Sequence, residues 1–251
     1  MARLYLTGGL LLDGPDRAVT ADDFPGQQGR LAFAALAVER RPLAHGELAD
    51  IVWDEAPPPQ WKSALAAVVS KIRALVGAAG LDGAAAVSSS GGAYRLTLPP
   101  GTWVDLEDAI RRVDRAEGAL RHGDDLDAAR EATVAAAILR RPFLTGVDNR
   151  WVDGVRRHQL ETGYRSAVAL ATAWIRLGDH QLAATTAGWA IRLDPLRETG
   201  YRLLIEAERG RGDHSAALRA FTRCVDTLAE ELDVPPSPET LALAASLRRR
   251  R

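Results

Sequence analysis

The sequence predicts a mainly α chain in two parts: an N-terminal winged helix-turn-helix of α+β type over 1–104, followed by an all-α, tetratricopeptide-like helical repeat domain over 105–251. Three observations lead there. Short apolar bursts separated by turn residues fill the first 25 positions and then give way to helical periodicity. Two helical stretches joined by a tight polar turn come next, with a hairpin signal behind them. From about Val104 onward the pattern is helix after helix, with a Gly-Asp-His turn recurring at an interval of 34 residues.

The elements follow in order. Leu4 and Leu6, then Leu10 and Leu12, then Ala18-Val19 are divided by Gly8-Gly9 and Asp13-Gly14-Pro15, which spells a small antiparallel sheet. After Pro25 the apolar positions Leu31, Ala34, Ala35 and Val38 share one helical face until Pro42 stops the helix. HGELADIVW (45–53) is a short helix, DEAPP the turn, and PPQWKSALAAVVSKIRALVG (58–77) a longer helix. AAAVSSSGGAYRLTLPP (84–100) holds two apolar runs around a Ser/Gly turn, a hairpin or wing, and the domain boundary falls between Pro99 and Asp105. Turns at Gly123, Pro142, Gly178, Pro195, Gly212 and Pro235-Pro236 punctuate the helical half. There GDHQLAA (178–184) and GDHSAAL (212–218) repeat, with GDDLDAA (123–129) as an upstream echo. The interval matches the period of about 34 residues of tetratricopeptide helix pairs, whose small residues, here Ala183-Ala184 and Ala216-Ala217, let neighbouring helices pack closely.

With 47% hydrophobic and 26% charged residues over 251 positions, the chain has the composition of an ordinary soluble protein that buries a core without staples. Its one cysteine, Cys224, cannot close an intramolecular disulfide and reads as a packed small hydrophobe. The run LYLTGGLLL (4–12) is too short and too broken for a signal peptide, and no stretch reaches the roughly 18 apolar residues of a membrane helix. A cytoplasmic location without a membrane partner is expected. Charge is balanced in both parts: residues 1–104 carry 9 Lys and Arg against 10 Asp and Glu, and residues 105–251 carry 23 of each. Counterion release from phosphates supplies much of the affinity of DNA-binding proteins, so any positive surface here must be local to one face.

Lys62 and Lys71, the only lysines, both lie on the 58–77 helix. At about 100° per residue, Trp61, Leu65, Val68, Val69, Ile72, Leu75 and Val76 form its core side. Opposite fall Gln60, Ser63, Ala67, Ser70 and Ala74, with Lys62 and Arg73 on one flank and Lys71 on the other. Short side chains let a helix backbone approach base edges, and basic flanks reach phosphates, so this face suits the major groove of double-stranded DNA.

No catalytic or metal constellation is legible. His45, His122, His158, His180 and His214 lack metal-ligand spacing, and Ser88-Ser89-Ser90-Gly91-Gly92 lacks the context of a nucleophile and reads as a hairpin turn. The pattern therefore predicts neither an enzyme nor a cofactor, and the Arg248–Arg251 run reads as a solvated tail.

The stretches GRLAFAALAVERRPLAHGELADIVWDEAPPPQWKSALAAVVSKIRALV, GGAYRLTLP and DPLRETGYRLLIEAERGRGDHSAALRAFTRCVDTLAEELDVPPSPE together resemble the Streptomyces antibiotic regulatory protein family. Its members pair an OmpR-like winged helix with a bacterial transcriptional activation domain of tetratricopeptide-like helices. The resemblance covers nearly the whole chain and is most specific over 194–239. It implies a transcriptional activator that binds tandem direct repeats near a promoter as a head-to-tail pair. Such an activator contacts RNA polymerase holoenzyme and often controls a secondary-metabolite gene cluster. By position, the resemblance makes 45–53 the second helix of the reader and 58–76 the recognition helix, with Tyr94-Arg95 in the wing and Arg30 near the start of the first helix as a phosphate contact. Gln27 stands where an arginine is frequent, and Ala66 and Ala67 stand where larger polar residues often occur. The chain has no GxxxxGK[ST] run, so the ATPase module of larger relatives is not expected. The expected DNA-binding residues are thus Arg30, Gln60, Lys62, Ser63, Ala67, Ser70, Lys71, Arg73 and Arg95. Two other readings fit the residues. One is a tetratricopeptide-like adaptor whose winged helix binds DNA weakly or not at all. The other is a ligand sensor with Trp174, Trp189 and Tyr201 lining a pocket.

Overall fold

Val19, Leu12, Leu4 and Val104 stand in register across four short strands, and all four side chains are buried. The computed structural model, which describes residues 1–248, builds this sheet from β1 (Arg3–Tyr5), β2 (Leu11–Asp13), β3 (Ala18–Thr20) and β7 (Trp103–Val104), in the order β3-β2-β1-β7. The first three strands pair antiparallel, as their spacing predicts, whereas β7 adds to β1 in parallel. Two residues are too few to signal a strand in sequence. Their placement is secured by Asp105, whose buried carboxylate accepts hydrogen bonds from the Leu6 and Thr7 amides (2.9 and 3.0 Å) and from the Thr7 hydroxyl (2.7 Å).

Helix α1 (Gly26–Glu39) is buried from Leu31 through Ala37, not on the single face its spacing suggests. Neighbours cover it from several sides: α2 (His45–Val52), α3 (Trp61–Ala78) and β6 (Ala93–Leu96) all pack on it. A helix enclosed in this way is apolar all round, and its alanines let partners approach. Arg40 ends it in the left-handed region (φ 54°). Asp54 and Glu55, both at positive φ, make the turn after α2. Helix α3 begins three residues later than position 58, because a residue that precedes proline is pushed out of the helical region and Pro57, Pro58 and Pro59 are consecutive. A four-residue helix, α4 (Gly83–Ala86), stands where the sequence suggests the start of the hairpin. The hairpin itself is β5 (Val87–Ser90) against β6, turned by Gly91 and Gly92, both at positive φ as a two-residue turn requires. The strand β4 (Leu43–Ala44) pairs with the other edge of β6.

Contacts divide the chain into two units, Met1–Asp108 with Arg141–His158, and Ala109–Arg140 with the residues from Gln159 onward. The segment 141–158 therefore packs with the winged helix although it lies far along the chain. The Gly8 amide donates to the Pro142 carbonyl (2.8 Å) and the Leu144 amide to that of Leu6 (3.1 Å). Asn149 Nδ2 donates to the Ile51 carbonyl (2.8 Å), and Trp151 Nε1 to Glu39 (3.1 Å).

Every secondary-structure element among the described residues of the second unit is a helix: α5 (Asp105–His122, from Ala109), α6 (Asp125–Leu139), α7 (Arg150–Arg176, from Gln159), α8 (His180–Leu193), α9 (Glu198–Gly210), α10 (His214–Leu232) and α11 (Pro238–Arg248). The repeated motif is a turn with fixed chemistry. Gly123, Gly178 and Gly212 take φ of 79°, 81° and 77° and end one helix in the left-handed region. Asp124, Asp179 and Asp213 then cap the next helix, accepting from the amides of Asp127, Leu182 and Ala216 at 3.0, 3.0 and 2.8 Å. Alanines from α5, α6, α7 and α8 form a core cluster around Tyr164 and Trp189. The 249–251 part of the arginine tail lies outside the described residues.

Candidate nucleic-acid interface

Leu65, Val69, Ile72 and Val76 of α3 are buried, which leaves Gln60, Lys62, Ser63, Ala67, Ser70 and Lys71 exposed along the opposite side. Trp61, Val68 and Leu75, expected in the core stripe, are only half-buried; Val68 and Leu75 stand at the margin between the two faces. Ala66, Ala74 and Gly77 are exposed as well, so the face consists largely of backbone and short side chains. The Ser63 hydroxyl donates to the Gln60 carbonyl at 2.9 Å, which occupies its proton and leaves its oxygen as an acceptor toward solvent. The Lys62 ammonium lies 5.6 Å from the centroid of the Trp61 ring, a cation–π contact at the start of the helix.

The neutral total charge conceals a division. Residues 1–55 carry five arginines and nine acids, whereas residues 56–104 carry Lys62, Lys71, Arg73 and Arg95 against the single acid Asp82. That acid is engaged as the N-cap of α4, accepting from the Ala84 and Ala85 amides at 3.1 and 3.0 Å. Several cations away from α3 are paired: Arg17 with Asp23, Arg40 with Glu107, Arg41 with Glu39 and Glu47, and Arg150 with Glu55. The hydrogen bond from Arg41 holds the Glu47 carboxyl below its ordinary range. Among the described residues, Lys62, Lys71 and Arg95 enter no ion pair. Helix α3 and the hairpin thus hold a local excess of positive charge that the sequence totals hide.

Two expected contacts sit differently from the others. Arg73 is half-buried, and its Nε–H donates to the Val87 carbonyl at 2.7 Å. Arg30 is half-buried too, with a buried Nε that has no hydrogen-bond partner. Arg95 is exposed on β6, opposite Ser88 of β5. Sequence reasoning gave no site role to His45. Its ring stacks on Tyr94 (centroids 4.3 Å, planes 28° apart), and its amide donates to the Gly92 carbonyl at 2.9 Å, which fastens the start of α2 to the hairpin tip.

In the second unit, Trp189 and Tyr201 are buried in separate core clusters, and Trp174 packs against the cluster around Trp189. A cleft of about 770 Å³ does exist beside Tyr164, Arg197, Arg202 and Ser237. Its polar walls answer one another: Arg197 pairs with Glu161, Arg202 with Thr199 and Thr240, and Glu198 with Ser237. Among the described residues no group of three or more His, Cys, Asp or Glu is placed to hold a metal ion. No described helix is long and apolar enough to cross a membrane.

Comparison with known proteins agrees with this architecture. Residues 104–248 match the family model described as bacterial transcriptional activator domain. The chain is 28% identical over 231 residues to the transcriptional regulatory protein EmbR of Mycobacterium tuberculosis, covering 90% of this chain and 59% of EmbR. It is 30% identical over 212 residues to the regulatory protein AfsR of Streptomyces coelicolor, covering 84% of this chain and 21% of AfsR. The solved structure of Mycobacterium tuberculosis EmbR in complex with a low-affinity phosphopeptide superposes with a TM-score of 0.89 at 26% identity, covering all of this chain and 65% of that one. The chain thus spans less than two thirds of the length of these regulators.

Proposed function

Since the chain belongs to the bacterial transcriptional activator domain family, among regulators of the Streptomyces antibiotic regulatory protein type, we propose that it is a sequence-specific DNA-binding transcriptional activator. In this reading residues 1–104 are the DNA reader and 105–251 the activation domain. Helix α3 enters the major groove with Ser63, Ala67 and Ser70 toward base edges, while Lys62, Lys71 and Arg95 reach phosphates on either side. Gln60, at the N-terminal end of α3, faces the same groove. Arg30 reaches a phosphate once it turns outward, where its buried Nε gains a partner.

The single observation that carries the reading is the α3 face: free of acids, lined by short side chains and flanked by cations that form no ion pair. A helix so equipped, with few cations, binds weakly alone, so two copies sit head to tail on direct repeats. The helical unit then contacts RNA polymerase holoenzyme. The regulated genes belong to a secondary-metabolite cluster, and the protein works in the cytoplasm. Run-off transcription with purified polymerase tests this. The full chain should raise transcript from a promoter carrying its bound repeat and leave a promoter with scrambled repeats unchanged. Equal transcript from both would favour the adaptor reading.

A further inference from the structure

We infer that Arg73 is a positioning residue of the DNA reader: it holds the β5–β6 hairpin at the angle that brings Arg95 to a phosphate, and does not itself touch DNA. This rests on the DNA-binding reading above. Arg73 is half-buried, and the nitrogen in the middle of its side chain is directed into the protein, donating at 2.7 Å to the carbonyl of Val87, the first residue of β5. Val87 is fully buried, so its carbonyl oxygen meets no solvent while the Arg73 donor is in place.

The same residue meets the hairpin stem through its backbone. A Cβ added at Gly83 would lie 2.0 Å from the Arg73 carbonyl oxygen, so α4 rests directly on α3 at this point. The stem continues without slack: the Thr97 amide donates to the Ala86 carbonyl at 2.7 Å. At its other end the hairpin is held by the Leu43–Tyr94 pairing and by the His45 amide on Gly92. Arg95, the only charged residue of the hairpin, lies between these anchors, opposite Ser88, one residue along from Val87. Loss of the Arg73 hydrogen bond unties the β5 end of the stem from α3 and shifts Arg95, one residue along the pairing, with it.

The test is a double-mutant cycle in the full chain, on a duplex recovered from a randomised pool by the unaltered protein. Because it acts through Arg95, Arg73→Ala should weaken binding by the same factor as Arg95→Ala, roughly tenfold for one lost phosphate contact, and lower the salt slope by about one unit with it. Arg73→Gln removes the charge but keeps an N–H donor at the place of Nε, and should restore affinity to within about twofold with an unchanged salt slope. Adding Arg73→Ala to Arg95→Ala should cost nothing more. Gly83→Ala, which displaces the stem without touching a charge, should match Arg73→Ala. The inference is overturned if Arg73→Gln is as weak as Arg73→Ala and the salt slope falls by about one unit, or if the two alanine effects multiply. A failure of Arg73→Ala to fold, seen by thermal melting, leaves the decision to Arg73→Gln. A wild-type chain that selects no duplex and binds random DNA without salt dependence overturns the DNA-binding reading itself, and this inference with it.

Discussion

Lys71 stands alone on its flank of α3, so replacing it removes one charge and little else. Lys71→Ala should weaken binding to all DNA sequences alike and reduce the slope of log K against log salt by about one unit, measured by fluorescence anisotropy. Ser63 differs, because a base-edge contact carries about 1–3 kcal/mol of discrimination on the preferred site only. Ser63→Ala should therefore lower specific affinity and leave nonspecific binding unchanged. Burial pushes the Cys224 thiol up to about 11, with a smaller contribution from Glu198. At pH 8 it is a buried neutral thiol, and iodoacetamide should label it only after denaturation; labelling of the folded protein would show that α10 opens away from Ile191 and Tyr201. The exposed positions of α3 were legible because a period of about 3.6 residues sorts small from large side chains. The hydrogen bond from Arg73 was not, since a backbone carbonyl fourteen residues on leaves no trace in sequence. The half-burial of Arg30 was hidden for the same reason: it depends on what packs around α1.

At the scale of elements, the Gly-Asp turn is the most local device in the chain and the most legible. Glycine supplies the left-handed residue and aspartate caps the next helix, whatever the tertiary surroundings. Asp179→Ala should therefore lower stability in urea by about 0.5–2 kcal/mol without a change in m-value. No change would mean that another group caps α8. The elements that escaped sequence reading are those that exist through distant partners. Strand β7 depends on β1 and on Asp105, and the loop after α6 depends on Gly8, Leu6 and Ile51. Even α1 was readable as a helix but not as one covered on all sides, since its alanines are as compatible with exposure as with close packing.

At the scale of the molecule, the winged-helix unit needs residues that lie well beyond the boundary at 104. A fragment ending at Pro100 lacks β7, Asp105 and the 141–158 segment, leaving the Leu6, Thr7 and Gly8 amides without their partners. It should unfold at a clearly lower urea concentration than the full chain, followed by circular dichroism; equal stability would show that the 141–158 packing adds little. If the exposed face of α3 reads DNA, binding-site selection will show it. The full chain and its Lys62→Glu/Lys71→Glu variant are each incubated with a randomised duplex pool, and the retained fragments are sequenced. On that reading the unaltered chain retains direct repeats spaced by about one helical turn, roughly 10–10.5 bp, and the variant retains none. Retention of no preferred sequence by the unaltered chain, or of the same repeats by the variant, would contradict it.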